Sequence, residues 1–279
     1  MGSTHNVLLS AGDLGQRIIG NIRDSKQWPG LKTEIGDLDQ CLMGFRPGDL
    51  VLLSGDRYAG KTALALSIAR KLAIESDIGV LIFSPAKSAE YITSRLLLSE
   101  SGCGMHGDIR LTSKDAPYLD KLVKAQQRLA TAPITIYDQS AMGLDEIRGF
   151  SEGLKREVGL VLVDDIDDIV CDDETNITQS LKRLADQLSL PILAISPLDH
   201  STVGQENCRP TLCNMDAGKI AHADSVLLTY CPSLFGLKAP DGTDLDDIME
   251  VIIAKNRHSG EASVHLSFDV STLECKSLA

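Results

Sequence analysis

The sequence predicts an α/β protein whose mainly parallel β-sheet is covered by helices on both faces. Five short apolar runs, at 50–54, 79–84, 133–137, 160–164 and 191–196, have the length and composition of buried strands. Segments in which apolar residues recur at helical spacing separate most of these runs. Strands that alternate with helices in this way typically form a parallel sheet with helices packed on both sides.

Helical periodicity also predicts the elements between and before these strands. The predicted core helices span 61–76, 89–99, 114–130, 144–158 and 177–188. Ahead of the core, apolar residues at helical spacing predict an amphipathic helix over 8–22, and "QWPG" ends its pattern. Its apolar stripe either caps its own domain or docks on a neighbouring subunit, and the sequence leaves both open. We therefore divide the chain into an N-terminal arm, 1–29, and a core domain, 30–279.

Three later apolar runs, at 225–230, 249–255 and 263–268, have no long helix between them. The last two flank "NRHSGEA", a turn-like sequence, so they predict an antiparallel hairpin at the C-terminal end of the core. Lys255 and Arg257 stand two residues apart beside this turn and therefore point to the same face of a strand. They are either functional cations or solvated hairpin charges.

The composition is that of a soluble globular protein with one sizeable core. The chain has 279 residues, of which 43% are hydrophobic and 24% charged. No apolar run approaches the roughly 20 residues that cross a bilayer, and the chain does not start like a signal peptide, so we expect a cytoplasmic protein. Seven cysteines without a C-x-x-C pair fit reduced thiols. Cys208 and Cys213 lie between two histidines, but their spacing matches no common zinc finger.

The net charge of −12 argues against a broad basic surface for nucleic-acid phosphates. Two segments concentrate the acidic residues: 164–174 holds seven acids and no base, and 241–250 holds five acids and no base. We interpret both as solvated loops in preference to metal sites.

A phosphate-binding loop is the strongest functional signal. The stretch "GDRYAGKT", Gly55 to Thr62, fits G-x-x-x-x-G-K-[ST] between a predicted strand and a predicted helix. The loop amides would wrap phosphates, Lys61 would reach the outer phosphates, and the Thr62 hydroxyl would ligate Mg²⁺. The residues expected to contact the nucleotide are Gly55, Asp56, Arg57, Tyr58, Ala59, Gly60, Lys61 and Thr62.

An acid is also needed at the end of a neighbouring strand to hold the magnesium shell. Asp164 ends the apolar run of "GLVLVDD" and fits this position. Asp165 beside it is similar to the second acid of other phosphate-loop proteins, which activates water, so it is a second candidate for catalysis.

Several separate stretches together resemble one family. In order, "EIGDLDQCLMGFRPGDLVLLSGDRYAGKTALALSIA", "FSPAKSAEYITSRLLLSESG", "GLVLVDD", "LPILAIS" and "IIAKNRHSG" resemble the C-terminal RecA-like motor domain of the DnaB replicative helicases. The resemblance covers most of 30–268. It implies a RecA-like P-loop NTPase core that binds ATP and Mg²⁺ between the subunits of a ring, usually of six. The partner subunits would be copies of this chain or of a related helicase.

The resemblance also implies roles for individual residues. Lys61, Thr62 and Asp164 match the phosphate and magnesium positions of the family. Lys255 and Arg257 match the hairpin pair that reaches the ATP of the adjacent subunit. Arg95 matches an arginine near the nucleotide base.

Four departures from the family pattern predict lost functions. Ala86 stands where the family has a glutamate that prepares the attacking water, and Pro197 where it has a glutamine that senses the γ-phosphate. Neither side chain accepts a proton or a hydrogen bond. The loop after Asp164 is acidic, and Met215 of "MDAG" replaces an arginine that helps to hold DNA, with Lys219 as a partial substitute.

We therefore expect a nucleotide-gated oligomer with weak or absent hydrolysis and weak or absent DNA binding, connected to DNA replication. The alternatives are an active DnaB-type motor and a regulatory ATPase similar to the RadA or KaiC families.

Overall fold

The computed structural model describes residues 30–104, 116–171, 176–202, 206–239 and 241–278, together with residues 10, 12 and 16. Apart from those three positions, the arm at 1–29 lies outside the described residues, and so does the helix predicted over 8–22. The division between arm and core therefore stays a prediction.

Within the described residues, nine strands form one sheet in the order β3-β2-β4-β5-β1-β6-β7-β8-β9. The strands are β1 (Leu50–Gly55), β2 (Val80–Phe83), β3 (Ile134–Tyr137), β4 (Leu160–Val163), β5 (Ile192–Ile195), β6 (Ser225–Tyr230), β7 (Ile248–Asn256), β8 (Ala262–Asp269) and β9 (Glu274–Ser277). Strands β1 to β6 pair in parallel, and β7, β8 and β9 add on in antiparallel order. The predicted α/β class, mainly parallel sheet and C-terminal hairpin are confirmed.

The α-helices of the described residues cover both faces of this sheet. They are α1 (Gly36–Leu42), α2 (Lys61–Glu75), α3 (Ala89–Ser101), α4 (Ala116–Thr131), α5 (Leu144–Gly153), α6 (Ile177–Leu188) and α7 (Ala217–His222). Short 3₁₀ turns occur at Ile166–Asp168, Glu206–Cys208, Leu212–Asn214 and Pro232–Phe235.

The core forms two layers because successive strand residues point to opposite faces of the sheet. In β1, Val51 and Leu53 belong to a buried cluster with residues of α1 and α2, whereas Leu50 and Leu52 belong to a second cluster with residues of α5 and α6. The central strands are therefore buried on both sides, as their continuous apolar sequences predict.

The structure differs from the predicted elements mainly at short or glycine-containing segments. The helix predicted over 144–158 ends at Gly153, and Glu157 closes a turn onto Leu154. Gly149 and Gly153 weaken the helix toward this end. Helices α1 and α7 and strand β9 were not predicted, because seven, six and four residues are too few to show a clear period.

The described residues also bear on the sequence-based expectations for cysteines, metal sites and membrane spans. All seven cysteine thiols are free. In the part of the chain that the structure describes, no three His, Cys, Asp or Glu side chains are arranged to hold a metal ion, and no helix is long and apolar enough to cross a membrane.

Candidate nucleotide site

The phosphate loop joins β1 to α2 at the carboxyl edge of the parallel strands. Its two glycines are required by space and by backbone shape. A Cβ at Gly55 would lie 2.7 Å from the Thr229 carbonyl oxygen, and a Cβ at Gly60 would collide with Met249. Gly60 also has a φ of 79° where it precedes α2, a left-handed conformation that glycine adopts without strain. The loop thus brings its backbone close to the start of a helix of 15 residues, where the amide groups favour an anion.

Lys61 folds back over this loop. Its Nζ donates hydrogen bonds to the carbonyl oxygens of Gly55 at 2.8 Å and Asp56 at 2.9 Å. Burial lowers the pKa of Lys61, while the nearby carboxylates, Asp165 first among them, oppose that effect. The ammonium group therefore stands over the position that a phosphate would occupy against the loop.

Asp164 lies beside the loop because β4 ends at the same edge as β1. Its side chain is 1% exposed, and both of its oxygens are engaged by the chain. The Thr62 hydroxyl donates to Oδ2 at 3.1 Å, and the Lys87 ammonium pairs with Oδ1 at 2.7 Å. The predicted magnesium ligands thus come together, along with a lysine that was not predicted.

Lys87 lies between β2 and α3, directly after Ala86. Strand β2 pairs with β4 in parallel, so the residues that follow the two strands share one edge of the sheet. The sequence signal that could have identified Lys87 was its position directly after Ala86, where the family has its catalytic glutamate. Its significance depends on the contact with Asp164, which lies 77 positions further along the chain.

The residues present fit a magnesium ion. A threonine hydroxyl and a carboxylate are hard oxygen ligands of the type that Mg²⁺ takes with the phosphates of a nucleotide. Thr62 and Asp164 supply these groups within one hydrogen-bond distance of each other. Lys87 shares the carboxylate that would hold the ion.

A cleft of about 680 Å³ opens above the phosphate loop. It is lined by most of the loop and by Lys87, Tyr91, Arg95, Asp164, Asp165, Ile195, Pro197, Leu198, Phe268, Val270 and Leu273. The predicted Arg95 lies here, with its guanidinium 4.5 Å from the centre of the Tyr91 ring. Ala59 is the exception in the loop: its side chain is 1% exposed and does not line the cleft. The cleft therefore combines a polar phosphate end with apolar walls.

Asp165 is part of this cleft, so the second acidic candidate lies with the first. Burial is the main effect that raises its pKa, to about 6, and neighbouring acids add to it. The Asp167 amide donates to Oδ1 at 3.0 Å. A carboxylate with this pKa in a nucleotide cleft has the properties of a weak general base.

The two departures lie in or next to the cleft. Pro197 lines the cleft, and Ala86 is exposed beside Lys87. Neither carries a side-chain donor or acceptor. Of the two acids that follow β4, Asp164 is paired with a lysine, whereas the described hydrogen bond of the Asp165 carboxylate comes from a backbone amide.

Lys255 lies on β7 and Arg257 lies one residue beyond its end, and neither lines the phosphate cleft. They line a separate cleft of about 430 Å³ with Lys182 and Asp224. Arg257 pairs with Asp224 at 3.0 Å while 68% of its side chain stays exposed. Lys255 donates to the Ile220 carbonyl oxygen at 2.9 Å. Neither cation lines the phosphate cleft of its own subunit.

The position predicted to have lost a DNA contact, Met215, and its predicted partial substitute, Lys219, are both engaged within the fold. Met215 is buried at 4% exposure. Lys219 is only 16% exposed and pairs with Asp167 at 2.9 Å and Asp199 at 2.8 Å. Its ammonium is therefore already neutralised.

The family model of the DnaB-like helicase C-terminal domain matches residues 30–276. This chain belongs to that family. The DnaB-like sequence is 30% identical to the replicative DNA helicase DnaB of Geobacillus stearothermophilus over 254 residues, which cover 86% of this chain and 54% of the relative. It is 29% identical to the replicative DNA helicase DnaC of Bacillus subtilis over 252 residues, again 86% of this chain and 54% of the relative. The chain thus spans about half the length of these curated relatives.

Comparison with solved structures shows the same fold. A DnaB-like replicative helicase, solved in a study of its interactions with primase, superposes with a TM-score of 0.83 at 20% identity and covers 99% of this chain and 69% of that one. A separately solved ATPase domain has a TM-score of 0.82 at 19% identity, covering 98% of this chain and all of that one. The RadB recombinase is more distant, with a TM-score of 0.56 at 18% identity, covering 89% of this chain and all of that one. The predicted RecA-like core of the DnaB type is confirmed.

Proposed function

We propose that this DnaB-like domain is a nucleotide-gated assembly module, in which bound ATP–Mg²⁺ stabilises a ring of subunits and is hydrolysed slowly or not at all. The observation that supports the proposal is a contrast between the residues that would bind the nucleotide and two replaced positions in or next to the cleft. Lys61, Thr62 and Asp164 form a complete set for binding the phosphates and the ion. Ala86 and Pro197 leave the positions that would prepare water and sense the γ-phosphate without functional groups.

The chain's own residues would act mainly on bound nucleotide in its ground state. Lys61 would exchange its two carbonyl contacts for phosphate oxygens, and Thr62 and Asp164 would hold the magnesium ion. The ion, when bound, neutralises charge on the outer phosphates. Groups that bind the ground state and the transition state equally well raise affinity without raising turnover.

The separation of the two clefts supports assembly. Lys255 and Arg257 do not line the phosphate cleft of their own subunit, and we propose that they complete the site of a neighbour. A nucleotide that gains contacts only in the assembled state stabilises that state by mass action. The neighbour is a copy of this chain or a related helicase. A role in DNA replication is supported by the names of the relatives, which are replicative helicases.

The site assignment is tested by titrating a fluorescent ATP analogue into the unmodified protein and Lys61→Ala. Loss of charge-assisted contacts to phosphate should weaken binding by about 10- to 100-fold. Lys124→Ala, an exposed position on α4, is the matched control and should bind normally. Equal binding by Lys61→Ala would contradict the site.

Assembly is tested separately by light scattering after size-exclusion chromatography, with and without a non-hydrolysable ATP analogue. We expect the mass to rise with nucleotide. A monomer at all nucleotide concentrations would contradict the assembly role while leaving nucleotide binding intact.

An active motor is the second candidate, and Asp165 is the observation that favours it. This carboxylate lines the cleft and has a raised pKa, so it could take the proton of an attacking water. Steady-state ATPase assays with and without single-stranded DNA separate the two functions, because a motor should be stimulated by DNA and an assembly module should not.

A further inference from the structure

Lys87 is held in place by the backbone around it. The Ser84 hydroxyl donates to the Lys87 carbonyl oxygen at 2.6 Å, and the Ser88 side chain caps α3 by accepting from the Tyr91 amide at 3.2 Å. The lysine side chain is 30% exposed and extends into the phosphate cleft, where it meets Asp164. Its position therefore follows from the β2–α3 connection.

The ion pair with Lys87 neutralises the Asp164 carboxylate, which a bound magnesium ion would otherwise neutralise. Asp164 is almost fully buried, and a buried carboxylate needs a cation or several donors. In a site that depends on Mg²⁺, the ion meets much of that need. Here the Lys87 ammonium holds one oxygen and the Thr62 hydroxyl holds the other.

The same ammonium has donors left over. A lysine ammonium carries three N–H groups, and Asp164 uses one of them. Lys87 and Lys61 line the same cleft, so two ammonium groups converge near the loop that would cradle the phosphates. Lysine binds phosphate as a compact point charge and needs no fixed orientation.

We propose that Lys87 is a nucleotide-binding residue that serves as a resident cation. It neutralises Asp164 and offers its remaining donors to the outer phosphates, so that binding of a nucleoside triphosphate depends only weakly on Mg²⁺. Lys87 can act in this way only if the cleft binds nucleotide, as proposed above. Magnesium can still be held by Thr62, Asp164 and the phosphates, but it adds little affinity.

The test is a titration of a fluorescent ATP analogue in excess Mg²⁺ and again in excess EDTA. For the unmodified protein, the two dissociation constants should differ by less than about threefold. In Lys87→Met, which keeps the length of the side chain without its charge, binding in EDTA should be weaker than in Mg²⁺ by about tenfold or more. Lys87→Arg should behave like the unmodified protein. Lys124→Met on the exposed face of α4 is the charge-matched control and should leave the ratio unchanged.

Circular-dichroism melts establish that each variant is folded before its binding is compared. If Lys87→Met does not fold, the ratio for the unmodified protein and for Lys87→Arg decides the question. The proposal is overturned if the unmodified protein binds only with Mg²⁺, or if folded Lys87→Met binds equally well in EDTA. In both of those cases the proposed function, which requires only that the cleft binds nucleotide, is not contradicted. Absence of binding under every condition would instead refute the proposed function.

Discussion

Substitutions at Ala86 and Pro197 should change the rate of ATP hydrolysis without changing the affinity for ATP. We expect the unmodified protein to hydrolyse ATP slowly, Ala86→Glu to recover part of the activity, and the double variant with Pro197→Gln to recover more. In the cleft, both oxygens of Asp164 are occupied by Thr62 and Lys87, so this carboxylate is a poor base. The single substitution supplies a proton acceptor, but Pro197 still leaves the γ-phosphate without a sensing group.

The expected deficit follows from the missing base. General-base catalysis typically contributes about 10²–10⁴ in rate, which is roughly 3–5 kcal/mol of barrier. Starting from a typical turnover of about 10 per second, the unmodified protein should turn over at roughly 0.1 to 0.001 per second. The affinity for ATP should change little between the variants, because both replaced positions act on the transition state.

The assay is phosphate release under single-turnover and steady-state conditions, with nucleotide affinity measured in parallel. Asp165→Asn is the decisive companion variant. Hydrolysis by the unmodified protein at several per second, abolished by Asp165→Asn, would refute this reasoning and place the chemistry on Asp165. A slow rate that Asp165→Asn leaves unchanged would support it.

Three further predictions concern assembly, stability and DNA. Arg257→Ala should leave nucleotide binding by a single subunit intact but weaken nucleotide-dependent assembly, and sedimentation showing unchanged assembly would contradict a role between subunits. Asp224→Ala should lower the free energy of unfolding by about 1–3 kcal/mol near pH 7, measured by urea denaturation, because it leaves the buried Leu50 amide without its acceptor and removes the ion-pair partner of Arg257. Burial alone would raise the pKa of Asp224, but the Leu50 amide, Lys182 and Arg257 outweigh it and hold the pKa below its usual value. The difference from Asp224→Ala should therefore persist above about pH 4 and shrink as the pH falls below it. Single-stranded DNA should bind weakly and with strong salt dependence, because Lys219 is paired within the fold, and nanomolar binding at about 0.15 M salt would contradict this.

The sequence by itself determined the α/β class, the phosphate loop and Asp164 as its acidic partner. These features are local: a buried strand is a continuous apolar run, and the loop motif lies within eight consecutive residues, Gly55 to Thr62. The departures at Ala86 and Pro197 followed from the resemblance to the DnaB family. The short elements α1, α7 and β9 could not be predicted, because each is stabilised by packing more than by a pattern of its own.

Only the tertiary structure decided how the charged side chains are paired. Strand pairing brings together segments that are far apart in the chain. Parallel β2 and β4 bring Lys87 to Asp164 across 77 positions, and antiparallel β6 and β7 bring Arg257 to Asp224 across 33. Asp165 lines the nucleotide cleft, and Lys219 forms ion pairs with Asp167 and Asp199. The strength of a charge interaction depends on the distance between the two groups and on their burial. The spacing of two residues in the sequence gives neither quantity when the residues follow different strands.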